Sequence, residues 1–328
     1  MKPKIVADRV AAVVIGRNEG ARLLRCLKSI ENKVDLVVYV DSGSTDGSAE
    51  AANDTGATVI ELDMNRPFTA ARARNVGAAV LPDEIAYIQF VDADCAVHPG
   101  WIAAAHTFLN DTPDAAVACG RRRETAPETS IYNRLCDAEW DTPIGQARSC
   151  GGDALIRREA FQQVGGFRDD LIAGEEPEMC VRIRQAGWTV WRLDHEMTLH
   201  DAAITRFSQW WTRSKRAGHA YAEGAYLHGA PPEKHCVAQT RRAVIWGLAI
   251  PAAIILAVFA VSPWALLAIL VYPLQIVRLA QRDGGGPFGW AQAFFMTVGK
   301  FAETQGVLTF WTGRLMRRRA NLMEYKGG

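Results

Sequence analysis

Two aspartates one residue apart, Asp92-Ala-Asp94, close the apolar run Ile85–Val91. Two carboxylates in so tight a turn can meet one hard cation. Mg²⁺ or Mn²⁺ takes oxygen ligands and is commonly shared between one or two carboxylates and substrate phosphates. A cation held so neutralises charge on a departing diphosphate. Two other acidic or polar turns follow apolar runs: Asp41 after Leu36–Val40, and Gly16-Arg-Asn-Glu19 after Val10–Ile15. Arg74 offers a forked donor suited to phosphate oxygens, whereas Arg72 and the run Arg121-Arg-Arg123 read as solvated charge. His200, beside Asp201, carries the commonest transition-metal ligand type and equally the commonest hydrogen-bonded surface imidazole.

The elements that must position these groups follow from periodicity. Val10–Ile15, Leu36–Val40, Thr58–Leu62 and Ile85–Val91 are apolar runs of strand length. Leu23, Leu24, Leu27 and Ile30 share a helical face with Asn18 placed to cap it, and Ala70–Leu81 reads as a helix. Strands buried on both faces and alternating with helices imply an α/β fold with a mostly parallel sheet. Right-handed crossovers bring the carboxyl ends of the strands to one edge, where open α/β sheets bind ligands. A short strand is also expected at Val190–Leu193.

Composition bounds the function. The chain has 328 residues with 37 basic and 36 acidic side chains, 49% hydrophobic and 22% charged. That excludes a disordered or fibrous protein, and the net charge of +1 gives no nucleic-acid footprint. From Arg241 onward stand ten Lys/Arg against three Asp/Glu, so an acidic body carries a basic tail. Seven cysteines without a CxxC pair argue against a disulfide framework and a thiolate zinc site. The opening MKPKIVADRV lacks the apolar core of a leader, so the body is expected in a reducing cytoplasm. No GxGxxG follows the first apolar strand and no GxxxxGK[ST] occurs anywhere, so neither a dinucleotide fold nor a P-loop is supported.

The stretches VVIGRNE, DSGSTDGS, ARARNVG, FVDAD and AGEEPEMCVRIRQAGW, in this order between Val10 and His200, resemble the family 2 glycosyltransferases with the GT-A fold. The resemblance implies that Asp41 contacts the nucleotide base, that Glu19 shapes its pocket, and that Asp92 and Asp94 bind the metal. It places the catalytic base in Glu175-Glu176-Pro177-Glu178, at Glu176 or Glu175, where the family usually has Glu-Asp. The same cluster also suits a helix first turn, with Pro at N1 and acids at the positive end of the dipole. Gly151-Gly152-Asp153 matches the loop facing sugar and acceptor, and His200 the place where related enzymes sometimes add a third metal ligand. The implied activity is inverting, metal-dependent transfer from a nucleotide-diphosphate sugar to a saccharide or lipid-linked acceptor. Polyprenyl-phosphate sugar transfer, or a membrane-docked binding protein with a degenerate site, are the alternatives. A sugar-phosphate nucleotidyltransferase would need a glycine-rich loop that Gly16-Arg-Asn-Glu-Gly20 does not supply.

The tail points to membrane lipid. Between Arg242 and Arg278 lie 35 uncharged residues, about 52 Å of helix against a bilayer core of about 30 Å. Ser262-Pro263 divides them into helices of about 19 and 14 residues, a full or re-entrant hairpin. Basic residues at both ends put both on the cytoplasmic side of the inner membrane. The expected organisation is a catalytic domain over 1–204, an amphipathic interface helix and linker over 205–240, an apolar hairpin over 241–282 and an amphipathic basic tail over 283–328. Thr205–Tyr221 mixes Trp210 and Trp211 with basic residues, as interfacial helices do, although a buried aromatic anchor also fits. Gln209-Trp-Trp-Thr-Arg213 departs from the QxxRW of processive synthases, which favours one sugar per encounter.

Overall fold

The computed structural model describes residues 8–317. The opening segment 1–7, read above against a leader, and 318–328, with Arg318 and Arg319 of the basic tail, lie outside the described residues. The chain divides into two units, Met1–Thr129 with Cys136–Ala203, and Ser130–Leu135 with Ile204–Gly328.

The first unit opens with β1 (Arg9–Gly16), α1 (Ala21–Ile30), β2 (Leu36–Asp41), α2 (Ser48–Asp54), β3 (Thr58–Glu61), α3 (Ala70–Ala79) and β4 (Ile85–Asp92). These are the alternating elements that the apolar runs demand. Val13, Val14, Leu23, Ile30 and Ile88 have no exposed surface, and burying each such side chain contributes about 1.5–3 kcal/mol. The unit continues with β5 (Cys95–Val97), α4 (Trp101–Asp111), β6 (Ala115–Glu124), β7 (Gly145–Gln146), β8 (Ala154–Arg157), α6 (Arg158–Gln163), α7 (Glu175–Gln185) and β9 (Thr189–His200); α5 (Ile131–Glu139), before β7, begins in the second unit's segment Ser130–Leu135.

All nine strands form one sheet in the order β3-β2-β1-β4-β8-β6-β9-β5, with β7 on β9. β1, β2, β3 and β4 are mutually parallel. β8 then runs antiparallel to β4 and β6, while β6 and β9 are parallel. Registers Gly16↔Asp41, Ile15↔Asp92 and Asp41↔Glu61 align the carboxyl ends along one edge.

Several expectations are corrected here. Asn18 does not cap α1, whose N-cap is Gly20. Asn18 instead accepts Thr45 N–H at 2.8 Å and donates its own N–H to Ser44 Oγ, also at 2.8 Å, stitching the two loops together. The third strand is a residue shorter than Thr58–Leu62, and the Val190–Leu193 strand extends to His200. Arg121-Arg-Arg123 is solvated only at Arg123, because β6 lies inside the sheet and the side chains of Arg121 and Arg122 are largely enclosed in ion pairs. Arg72 is buried too, donating to the carbonyls of Asp63, Arg66 and Pro67. Pro177 stands at N3 of α7 rather than N1; its missing N–H costs nothing there either.

The second unit holds α8 (Phe207–His228), α9 (Val237–Ala260), α10 (Pro263–Arg282) and α11 (Gly286–Leu315). Two of these, α9 and α10, are long and apolar enough to cross a membrane. At 24 and 20 residues they exceed the expected 19 and 14, because helix continues past the flanking charges. Phe259, Val261 and Trp264 around the Ser262 break are each about four-fifths exposed. Trp210 is not on a lipid-facing side: it is buried against Tyr132 and Phe295, the anchor reading. α11 turns small residues inward (Ala293, Gly299, Ala302, Gly306) and leaves Trp290, Phe294 and Trp311 exposed. A side chain at Gly218 would strike the Glu303 carbonyl, and one at Gly306 the Lys215 carbonyl, so α8 and α11 cross backbone to backbone.

Candidate active site

At the carboxyl end of β2, Asp41 is buried and its carboxylate is fully engaged. Tyr39 Oη donates to Oδ1 at 2.9 Å, and the Gly43 and Ser44 N–H groups donate to Oδ2 at 2.9 and 2.7 Å. It therefore sets the shape of the Ser42–Gly47 turn. Burial, then the Asp41 charge, pushes the Tyr39 hydroxyl pKa far up, so it stays a donor. Glu19, on the neighbouring loop, pairs with Arg22 at 2.8 Å, and Arg22 reaches Asp201 at 3.8 Å.

At the end of β4 the two aspartates take different partners. Asp92 Oδ1 accepts from Arg74 Nη2 at 2.6 Å, and its Oδ2 lies 3.8 Å from Arg122 Nη2. Burial would raise the Asp92 pKa, but Arg74 and then Arg122 outweigh it and hold the carboxyl below its usual range. Asp94 Oδ2 lies 3.4 Å from His200 Nε2. Asp94, Cys95 and His200 each offer a ligand atom, all within 4.8 Å of one another. They meet because β5 pairs with β9, with Cys95 opposite His200. The acid pair expected to share one ion is thus divided: Asp94 joins His200, and Asp92 is clamped by two guanidinium groups.

Arg74 is committed to two carboxylates of the site. Its side chain is 3% exposed and bridges Asp92 to Glu175 Oε1, the latter at 2.8 Å. Burial disfavours its charge, yet the two carboxylates raise its pKa above the ordinary arginine value. Asp153 has no exposed surface; Oδ1 accepts Asp92 N–H at 3.1 Å, and Oδ2 accepts from Thr198 Oγ1 at 2.8 Å and forms an ion pair with Arg122 Nη2 at 2.8 Å. It braces the aspartate turn from behind. A Cβ at Gly152 would lie 2.8 Å from Asp92 Oδ2, so a side chain there would have to displace that carboxylate.

Glu175 and Glu176 open α7 behind Gly174, whose φ of 79° a glycine tolerates. Glu176 Oε1 accepts Cys150 N–H at 2.6 Å and lies 3.3 Å from Cys180 Sγ. Burial raises its pKa above the usual carboxylate range, although those hydrogen bonds work the other way. Of the two acids, Glu175 is committed to a guanidinium, while Glu176 holds the loop leading to Gly152.

Arg122 is the residue the sequence reading missed. Besides Asp153 and Asp92 it reaches Trp140, its guanidinium 5.6 Å from the ring, and Trp140 stands edge-to-face 4.7 Å from His200. The available signal was alternation: on a strand, the middle of three arginines faces opposite to its neighbours. Glu124, two residues on, shares that parity; its carboxylate accepts the N–H groups of Ala126 and Ala202 at 3.1 and 2.9 Å, fixing the chain just past His200.

Residues 12–165 match the profile of glycosyl transferase family 2. This segment is a family 2 glycosyltransferase domain. Among relatives, a TPR repeat-containing protein of Synechococcus elongatus is 32% identical over 130 residues, covering 39% of this chain and 30% of its own. Glycosyltransferase AglE of Haloferax volcanii is 23% identical over 195 residues, 55% of this chain and 63% of its own. Pre-mycofactocin glycosyltransferase of Mycobacterium tuberculosis is 25% identical over 235 residues, 67% and 48% respectively. The chain spans less than two thirds of the length of each of these relatives. Mannosyltransferase PcManGT of Pyrobaculum calidifontis, solved with GDP-Man and Mn²⁺, superposes with a TM-score of 0.66 at 23% identity, covering 92% of this chain and 87% of its own. That likeness shows the GT-A fold of the glycosyltransferase domain and its helical extension.

Proposed function

We propose that this chain is an inverting, metal-dependent glycosyltransferase that moves a sugar from a nucleotide-diphosphate sugar to a lipid-linked acceptor. The observation that carries the reading is the meeting of Asp94 and His200, from separate strands, at the carboxyl edge next to the Arg74-linked acid helix. A carboxylate oxygen and an imidazole nitrogen suit Mn²⁺, and Mg²⁺ less. Asp94 and His200 would hold the ion, which when bound supplies positive charge to a departing diphosphate. Asp92, held by Arg74 and Arg122, fixes the turn that presents Asp94. Glu176 is the base: its raised proton affinity suits acceptance of a proton from the acceptor hydroxyl. The Cys150 N–H holds it in place, Glu175 and Arg74 tie the start of its helix to Asp92, Asp41 and Glu19 shape the nucleotide-base rim, and Gly152 lets the donor approach the backbone.

The exposed apolar helices α9 and α10 support a membrane-held enzyme with both helix ends on the cytoplasmic face, where nucleotide-sugars are made. An acceptor confined to the same surface gains effective concentration. This suits envelope polysaccharide or glycolipid synthesis. The deciding experiment uses the full chain in proteoliposomes with Mn²⁺ and UDP-, GDP- and TDP-sugars. Metal-dependent transfer or donor hydrolysis is expected, and Glu176→Gln should bind donor yet lose turnover by about 10²–10⁴-fold. Near-normal kcat in that variant removes Glu176 from the chemistry. Donor binding with no turnover under any condition would favour a binding protein.

A further inference from the structure

The cysteine spacing in sequence argues against a thiolate site, but the fold brings two cysteines 30 residues apart onto one acid. Cys150 Sγ and Cys180 Sγ lie 3.7 Å apart, and Glu176 Oε1 is 3.3 Å from Cys180 Sγ. The three ligand atoms are all within 4.8 Å of one another and all three residues are buried. Two sulfurs bound about 2.3 Å from a tetrahedral Zn²⁺ stand about 3.8 Å apart, so the observed spacing is already that of a tetrahedral edge. The elements that hold it are firm: Glu176 and Cys180 sit one turn apart on α7, and Cys150 is tied down by its N–H to Glu176. Ser149 and Gly151, which flank the buried Cys150, are both exposed.

We propose that Cys150, Cys180 and Glu176 form a second cation site, selective for a soft or borderline divalent ion such as Zn²⁺ or Cd²⁺, whose occupation shuts off transfer. The two sites sort cations by donor chemistry. Two thiolates favour Zn²⁺ and its heavier congener, whereas Asp94 and His200, with Cys95 the single sulfur beside them, suit Mn²⁺. On binding, both thiols lose their protons to solvent, the sulfurs ligate as thiolates and Glu176 supplies a carboxylate oxygen. The carboxylate is then no longer free to accept a proton from an acceptor. The shut-off rests on the reading of Glu176 as base; the binding does not.

The test titrates Co²⁺ into the reduced, full-length protein in detergent under anaerobic conditions and reads the thiolate-to-cobalt charge-transfer and tetrahedral d–d bands. One equivalent is expected to produce them and Zn²⁺ to abolish them by displacement. Cys150→Ser and Cys180→Ser should each remove the charge-transfer band, while Cys95→Ser, beside Asp94, should leave it. Should the serine variants fail to fold, X-ray absorption on the Zn²⁺-loaded unmutated chain decides: two sulfur neighbours at about 2.3 Å support the site. Absence of the charge-transfer band, a shell of nitrogen and oxygen donors only, or loss of two thiols to a disulfide in place of the bands overturns it. Transfer at fixed Mn²⁺ should fall at least tenfold as Zn²⁺ fills the site. Zn²⁺ bound through both sulfurs without that loss would keep the site and refute Glu176 as base.

Discussion

Replacing Arg122 by Met tests whether the aspartate turn depends on a buried counter-charge. Asp153 has no exposed surface, and Arg122 stands 2.8 Å from it with a side chain only 14% exposed. With the guanidinium gone, Asp153 keeps one hydroxyl and one backbone N–H, neither of which carries charge. Removing one partner of a buried pair costs about 3–5 kcal/mol because the other charge is stranded. Adding Asp153→Asn removes that stranded charge, and its amide still pairs with Thr198 and the Asp92 N–H, so the double variant should recover more than half of the loss. The assay is urea unfolding of the full chain in detergent at pH 7, followed by tryptophan fluorescence, with Trp140 beside Arg122 as a reporter. The transition of the first unit must be fitted separately, since a two-unit chain is not two-state. A cost below about 1 kcal/mol, typical of exposed pairs, or effects that add within about 0.5 kcal/mol, would refute the argument.

Asp94→Ala should abolish Mn²⁺-dependent nucleotide binding while leaving the melting of the first unit unchanged; calorimetry with unaltered affinity would return Asp94 to a plain turn residue. In the second unit, burial pulls the His219 pKa from its ordinary 6.5 down to about 4. Between those values the unfolded chain takes up a proton that the folded one refuses. Stability of that unit should therefore fall by about 1.4 kcal/mol per pH unit as pH drops from 6.5 to 4; His219→Leu should flatten that slope in pH-dependent melts, and an equal slope in both proteins argues otherwise. Single cysteines at positions 240, 263 and 283, placed in a background with the accessible Cys236 replaced, should label from one side at 240 and 283. Labelling of those two from opposite sides excludes the hairpin of α9 and α10.

The parallel half of the sheet was readable because its strands are contiguous apolar runs that end on acids, a local pattern. Asp41, Asp92 and Asp94 fell at the expected edge for the same reason. What escaped was set by contacts far apart in sequence. Arg72 looks like a helix-surface charge and Arg74 like a free phosphate donor until α3 is packed, when Arg74 meets Asp92 and Glu175 and Arg72 a loop of bare carbonyls. Arg122 seemed to lie in a basic run, yet Asp153 and Thr198 come from β8 and β9 sides of the sheet that only the fold assembles. Trp210 could not be told from a lipid-facing residue without its partners Tyr132 and Phe295.

The parallel pairing of β6 with β9 limits where the chain may be cut. Residues 12–165, recognisable as a family domain, end before α7 and β9. A fragment with those bounds would leave β5 and β7 without their neighbour, expose the long flank of β6 as a template for other chains, and strand the Arg74 charge with Asp92 alone. The recognisable domain and the self-sufficient one are therefore different objects. Grafting, truncation or domain exchange in this protein must carry the segment through Ala203, because the last strand supplies His200 and closes the sheet built by the first hundred residues.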